Sequence, residues 1–165
     1  MRQAWEATAA NIGLNGCVRF CGEVSHERLR ALMHACTAFV LPSITRAEAF
    51  GYVQLEAMAC GKPVISTDVP SGVSWVNQHD RTGLVVPAGN PQRLRNAIVR
   101  LMMDDGLRAR LGEAGRMRVE REFTHVKLRE RLAALYEELS LLSDAGHLSA
   151  VGHLFPSRTN GQQAC

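Results

Sequence analysis

Two carboxylates stand eight positions apart in the stretch EAFGYVQLE, at Glu48 and Glu56. An Ala-Phe-Gly step and an apolar run lie between them, and the apolar run continues through AMAC until Gly61. This spacing predicts a helix that is entered at Gly51 and ends near Gly61. A carboxylate within an apolar helix is costly to bury unless another group pairs with it, so Glu56 requires an explanation.

The predicted helix start at Gly51 offers an anion-binding site. Free N–H groups and the positive end of the helix dipole attract phosphate there, and a glycine lets the backbone approach closely. Glu56 lies roughly 7–8 Å further along the axis, at about 1.5 Å per residue. A nucleotide with its diphosphate at the helix start would place its ribose near Glu56, whose oxygens can accept from both hydroxyls. Glu48 lies on the other side, where a transferred sugar would be.

Simpler explanations of the two carboxylates remain open at this point. Glu48 can be a favourable charge near a helix N-terminus. Glu56 can pair with Lys62 or with an arginine across the fold. Their combination on an apolar helix entered through Phe-Gly favours the binding site.

Predicted strands and helices alternate along the chain, and they must position these residues. Ser25 and Asn90 are predicted helix N-caps. The alternation predicts an α/β fold with a Rossmann-like parallel sheet flanked by helices, in which ligands bind beyond the C-terminal ends of the strands. The loops PSITRAEAFG and TDVPSGVSW should therefore form the site. Strands are predicted at VRFCG, AFVLP, PVIST and TGLVVP, and helices at AWEATAANIG, SHERLRALMHAC, GYVQLEAMAC, NPQRLRNAIVRLMMD, GLRARLGEAGRMRVEREF and HVKLRERLAALYEELSLL.

The overall composition is that of an ordinary globular protein. The 165 residues are 46% hydrophobic and 21% charged, which suffices for one domain with a real core. No apolar run is long enough to predict a membrane span, and MRQAWEATAANIG shows no apolar leader. The periodic pattern stops near Ser143. We therefore expect a domain over residues 1–140 and a loose tail over residues 141–165.

The five cysteines, at positions 17, 21, 36, 60 and 165, are odd in number and show no regular spacing. Reduced thiols and a cytosolic setting are the expectation. Zinc at Cys17, Cys21, His34 and Cys36 is disfavoured, because C-x3-C and H-x-C fit no standard site.

The basic residues other than Lys62 and Lys127 are all arginine, and the formal net charge is +3. Many of the arginines lie between Arg93 and Arg131, where acidic residues are interspersed. Solvated helix faces explain this pattern better than a nucleic-acid or acidic-lipid surface does.

The stretch from about Arg2 to Ser140 resembles the donor-binding half of the group 1 glycosyltransferases, family 4, which are retaining enzymes of the GT-B fold. The E-x7-E motif of that family matches Glu48 and Glu56. Its flanking pattern is also similar, in VRFCGEV, in EAFG, in LEAMACGKPVIST and in TGLVVP.

This resemblance implies a role for each matched residue. Glu48, as the catalytic residue, contacts the donor sugar, and Glu56 binds the ribose. Val53 packs near the nucleoside, and Val24 lies by the base. The backbone of three further residues contacts sugar and phosphate; they are Phe50, Gly51 and Tyr52.

The chain also departs from the family pattern. Family members have an N-terminal acceptor-binding domain and, at the start of the donor domain, a strand followed by a basic pair that neutralises the diphosphate. The sequence begins after both of these features. We therefore expect one half of a GT-B fold that lacks its first strand and acceptor-binding domain. Such a chain should be inactive alone and could self-associate through an exposed sheet edge.

The implied activity is hexosyl transfer from a nucleotide-diphospho-sugar, with retention, to a saccharide or lipid-linked acceptor in polysaccharide or glycoconjugate biosynthesis. No metal or other cofactor is expected, because the basic pair usually stabilises the leaving diphosphate. Glu48 would position and polarise the sugar. The expected location is cytoplasmic, with peripheral contact at the inner face of the membrane and no nucleic-acid partner.

Two other functions remain as alternatives. One is a non-catalytic nucleotide-binding or interaction fragment. The other is a sugar-nucleotide epimerase-like domain, which is less favoured although it shares the fold. Epimerases of this kind also need a cleft closed by two domains.

Overall fold

A computed structural model describes residues 2–14 and 16–144. The chain divides into two compact units, Met1–Arg118 and Val119–Cys165. No described helix is both long and apolar enough to cross a membrane. The described helices are α1 (Arg2–Asn11), α2 (His26–Ala35), α3 (Tyr52–Ala59), α4 (Val73–Val76), α5 (Pro91–Met103), α6 (Asp105–Glu122) and α7 (His125–Asp144).

A parallel sheet of three strands lies within the first unit. The strands are β1 (Phe39–Leu41), β2 (Val64–Asp68) and β3 (Gly83–Pro87), paired in that order. Because successive parallel strands need crossovers, helices connect them, as the alternating pattern predicts. The α/β prediction is confirmed.

The predicted strand at VRFCG is wrong. Residues 18–22 form no strand, and the Val18 side chain is 43% exposed. A strand requires a neighbour to satisfy its backbone groups. Within the described residues β1 pairs with β2 and with no strand on its other side. The Phe20 carbonyl oxygen instead accepts a hydrogen bond from the Arg2 guanidinium at 3.1 Å.

The helix ends largely follow the predicted local chemistry. Ser25 accepts from the Arg28 amide at 3.3 Å, and Asn90 accepts from the Arg93 amide at 3.0 Å. Gly61 ends α3 in the left-handed region, with φ +68°, where glycine is favoured. The loop TDVPSGVSW is only partly irregular, since its last residues form the short helix α4.

The second unit contains the described end of the chain. The helix predicted over residues 125–142 is α7, which extends to Asp144. The predicted tail lies outside the described residues from position 145 onward.

Asn77 connects two strands from inside the core. It is fully buried, and its Nδ2 donates to the Val64 carbonyl at 3.3 Å, to Ser66 Oγ at 2.9 Å and to the Leu84 carbonyl at 3.2 Å. Its Oδ1 accepts from Thr82 Oγ1 at 3.3 Å. Buried carbonyls that lose such a donor become unsatisfied, so this side chain fixes β2 against β3.

The substitution Asn77→Ala is therefore expected to lower the free energy of unfolding by about 2–3 kcal/mol, as measured by urea denaturation. Asn96→Ala on the exposed face of α5 is the matched control and should change that free energy by less than about 0.5 kcal/mol. Equal effects of the two substitutions would contradict this role of Asn77.

Candidate functional site

The two loops predicted to form the site come together at one edge of the sheet. The Gly72 amide, after β2, donates to the Ala49 carbonyl, after β1, at 2.8 Å. A Cβ at Gly72 would lie 2.7 Å from Phe50 Cδ2 and 3.0 Å from the Ala49 oxygen. The close approach of the two loops therefore requires glycine at position 72.

Gln54 joins the same two loops from beneath. It is fully buried in α3, and its Nε2 donates to the Phe50 carbonyl and to the Val73 carbonyl, both at 3.2 Å. Its Oε1 is buried and accepts no hydrogen bond within the described part of the chain. Sequence reasoning missed this residue. The available signal was an amide at a core position of an apolar helix.

Gly51 begins α3 in a left-handed conformation, with φ 72°. A Cβ at this position would lie 2.8 Å from both Gln54 Nε2 and Leu41 Cδ2. Conformation and space therefore both favour glycine at the helix start. The close packing seen here is against Leu41 and Gln54, and the close approach of a phosphate to this glycine stays a prediction.

Glu48 reaches the same helix start. The Gly51 amide donates to Glu48 Oε1 at 3.0 Å, and the Glu48 side chain is half-buried. A carboxylate at this end of a helix interacts favourably with its dipole. Glu48 therefore does have the simple structural role that the sequence left open, and its Oε2 has no hydrogen-bond donor within residues 2–14 and 16–144.

The next two amides of α3 are free for a ligand. The backbone N–H groups of Tyr52 and Val53 donate to no acceptor in the described residues. The Tyr52 ring is 74% exposed, and its centroid lies 5.1 Å from that of Phe50. The helix start thus presents unsatisfied donors next to exposed aromatic surface.

Arg118 stabilises the second loop from within the first unit. Its guanidinium donates to the Val76 carbonyl at 3.2 Å and to the Trp75 carbonyl at 3.0 Å. It also lies 5.7 Å from the centroid of the Trp75 ring, and the Trp75 ring lies 5.9 Å from that of Phe50. This arginine therefore anchors the short helix α4 beside the site.

Glu56 is on the exposed side of α3, and its carboxylate is not buried in the core. This carboxylate forms no hydrogen bond or ion pair with any described residue, so the pairing with Lys62 or an arginine is absent there. Glu56 borders an open groove of ≈ 450 Å³, which we call the α2–α3 groove. Its lining residues are His26, Leu29, Arg30, Met33, His34, Glu56, Ala59 and Cys60.

Val24 lies two residues before the groove residue His26 and does not itself line the groove. It precedes Ser25, the N-cap of α2. The structure thus brings Glu56 together with α2, and it brings residues 48–53 together at the start of α3.

The other charged and metal-ligating groups contribute less to this site. The described residues contain no cluster of three or more His, Cys, Asp or Glu side chains suited to a metal. Several arginines of the basic stretch form ion pairs, including Arg100 with Asp80 at 2.9 Å and Arg116 with Glu113 at 2.7 Å. These pairs favour the solvated-helix explanation of the stretch.

Comparison with known proteins shows the family to which this chain belongs. The family model described as "Glycosyl transferases group 1" matches residues 1–118. A D-rhamnosyltransferase from Pseudomonas aeruginosa is 45% identical over 92 residues, which cover 56% of this chain and 24% of that protein. The chain spans between a quarter and about a third of the length of such curated relatives, with values of 24%, 34% and 32% for three of them.

Solved structures show the same fold. A sucrose-phosphate synthase from Thermosynechococcus elongatus superposes with a TM-score of 0.75 at 34% identity, over 85% of this chain and 34% of that one. Anabaena HepE in complex with UDP-glucose superposes with a TM-score of 0.74 at 26% identity, over 82% and 36%. These neighbours are GT-B glycosyltransferases. The chain therefore belongs to the group 1 glycosyltransferases.

Proposed function

We propose that the chain is the donor-binding part of a retaining glycosyltransferase and binds a nucleotide-diphospho-sugar along α3. The observation that supports this most directly is the exposed carboxylate of Glu56. Among the described residues it has no hydrogen-bond or ion-pair partner, and the amides of Tyr52 and Val53 on the same helix have no acceptor. An anion at the helix start would accept hydrogen bonds from the two amides, and a diol would donate hydrogen bonds to the carboxylate.

In this proposal the diphosphate binds the amides of Tyr52 and Val53, and the ribose hydroxyls donate to Glu56. The base lies toward Val24 at the beginning of α2. The similarity to a protein solved with UDP and with UDP-glucose supports this class of ligand.

Glu48 is proposed to orient the sugar. Its Oε1 is engaged by the Gly51 amide, so Oε2 is the oxygen that can accept from a sugar hydroxyl. During transfer the bond between the anomeric carbon and the phosphate oxygen breaks, and the acceptor oxygen bonds to that carbon on the same face. The acceptor proton passes to the leaving phosphate. The amides at the start of α3 stabilise the charge that develops there.

The acceptor and location belong to the same proposal. We infer that an acceptor-binding domain, of the kind that family members have, completes the cleft and presents a saccharide or lipid-linked acceptor. The site of action is the cytoplasm, at the inner face of the membrane. No metal takes part in the proposed route.

Glu56→Gln is expected to weaken binding of the nucleotide-sugar by about 1–3 kcal/mol, because a charged acceptor of the ribose hydroxyls is lost. Folding should be nearly unchanged, since the carboxylate forms no hydrogen bond or ion pair with a described residue. Titration calorimetry with UDP-, GDP- and TDP-sugars measures the first effect, and urea denaturation measures the second.

Glu138→Gln on the exposed surface of α7 is the matched control for charge and should leave affinity unchanged. An unfolded Glu56→Gln protein would assign Glu56 a structural role. A folded variant with unaltered affinity would remove the main support for the proposed function.

Gln54→Leu keeps a side chain of similar volume in α3 and removes the two hydrogen bonds that join the loops. The free energy of unfolding should fall by about 1–3 kcal/mol, hydrogen exchange should accelerate in residues 49–53 and 70–74, and donor affinity should fall with it. Gln92→Leu on the exposed surface of α5 should change none of these quantities. If hydrogen exchange is unchanged in both loops, Gln54 does not position them.

The full chain is expected to bind donor without transferring sugar. Its sequence has no match to the family's basic pair, and loss of such a stabiliser typically costs about 3–4 kcal/mol of barrier. Incubation with a panel of nucleotide-sugars and acceptors, followed by mass spectrometry, tests this. Robust turnover would contradict it and would direct attention to Arg46, an exposed cation in the loop after β1.

A further inference from the structure

Cys60 lies in the wall of the α2–α3 groove, four residues after Glu56. Residues at this spacing share one face of a helix, and the Cys60 amide donates to the Glu56 carbonyl at 3.2 Å. The Cys60 side chain is partly exposed and is not in a disulfide. A free thiol therefore stands beside the carboxylate proposed to bind ribose.

The Cys60 sulfur has a basic partner across the groove. Cys60 Sγ lies 3.7 Å from His34 Nε2, within hydrogen-bonding distance for sulfur. His34 is in the last turn of α2, where the helix dipole favours a positive charge. A thiol next to an imidazole that can accept its proton is more reactive, because the thiolate is the nucleophile.

The other described cysteines lack this arrangement. Burial raises the pKa of Cys36, against an opposing effect of Lys62, and its thiol donates to the Met33 carbonyl at 3.2 Å. Cys17 and Cys21 are exposed, and neither thiol forms a hydrogen bond with a histidine in the described residues. Reactivity within this set should therefore concentrate at Cys60.

We propose that Cys60 is a thiol-modification site that accepts low-molecular-weight disulfides, and that the resulting adduct closes the groove to the nucleotide-sugar. The second part rests on the proposed function of Glu56. A group bonded to Cys60 Sγ would occupy the space in front of Glu56, because both side chains line the same groove.

The chemistry is a thiol–disulfide exchange. The Cys60 proton passes to His34 Nε2, and the thiolate attacks one sulfur of the small disulfide. The new bond joins Cys60 Sγ to that sulfur, the original S–S bond breaks, and the other half leaves as a thiolate that takes up a proton. Cys60 is oxidised and the small disulfide is reduced, so no further oxidant is needed. A reducing thiol reverses the step.

The test uses the full chain with Cys17→Ser, Cys21→Ser and Cys165→Ser and glutathione disulfide as the probe. Peptide mass spectrometry locates and times the adduct, and calorimetry with UDP- and GDP-sugars measures affinity before and after treatment. We expect the adduct at Cys60 and an affinity reduced by about tenfold or more, restored by dithiothreitol. That reversal, with an unchanged circular dichroism spectrum, separates blockade from unfolding.

Two variants in the same background sharpen the result. Cys60→Ser should keep its own untreated affinity after exposure to the probe. His34→Gln, at an exposed position, should slow formation of the adduct by about threefold or more, because the imidazole that lies 3.7 Å from the sulfur and accepts the thiol proton is lost. Bound nucleotide-sugar should also slow formation of the adduct in the protein that carries only the Cys17, Cys21 and Cys165 substitutions.

Several outcomes would overturn the proposal. These are an adduct on Cys36 with Cys60 free, an adduct on Cys60 with unchanged affinity, or equal modification rates with and without His34. An untreated protein that binds none of the nucleotide-sugars would instead refute the proposed function, and with it the blockade. Peptide mass spectrometry would still decide whether Cys60 is the modification site, and the rate comparison would still decide whether His34 activates it.

Discussion

The geometry of the candidate site depends on the buried amide of Gln54. Its two donated hydrogen bonds, to the Phe50 and Val73 carbonyls, connect the loop that follows β1 to the loop that follows β2. The Val73 carbonyl also accepts from the Asn77 amide at 3.1 Å, so the particular contribution of Gln54 is the link between the two loops. Because this tie lies directly beneath Gly51, it fixes the left-handed entry into α3, and with it the direction of the free amides of Tyr52 and Val53.

The same constraint explains why a carboxylate is tolerated in an apolar helix. Gln54, Ala57 and Met58 form the buried face of α3, which packs on the sheet. Glu56 and Cys60 point to the other side and face α2 across the groove. An apolar sequence alone suggests burial on all sides. Here the side that faces α2 is open, so the Glu56 carboxylate lies at the surface and needs no ion-pair partner among the described residues.

Much of the secondary structure was predictable from neighbouring residues in the sequence. The remaining features depend on packing between residues that are distant in sequence. The caps Ser25 and Asn90, the helix end at Gly61 and the strands β1 to β3 each follow from residues within a few positions. Residues 18–22 had a strand-like composition, but a strand also needs a neighbour, which composition does not reveal. The pattern similarly pointed to Glu48 and Glu56, whereas Gln54 is intelligible only once Phe50 and Val73, distant in sequence, are seen together.

Glu48 shows how one residue can serve the fold and the proposed chemistry together. Its Oε1 accepts from the Gly51 amide, which orients the carboxylate before any donor arrives. A group oriented in advance reorganises little when charge develops, and such preorganisation is the main source of electrostatic catalysis. The structural explanation and the functional one therefore do not compete at Glu48, because the Gly51 amide binds one carboxylate oxygen and leaves the other for a sugar hydroxyl. The helix start that Gln54 fixes is thus also the frame on which sugar and diphosphate would be aligned.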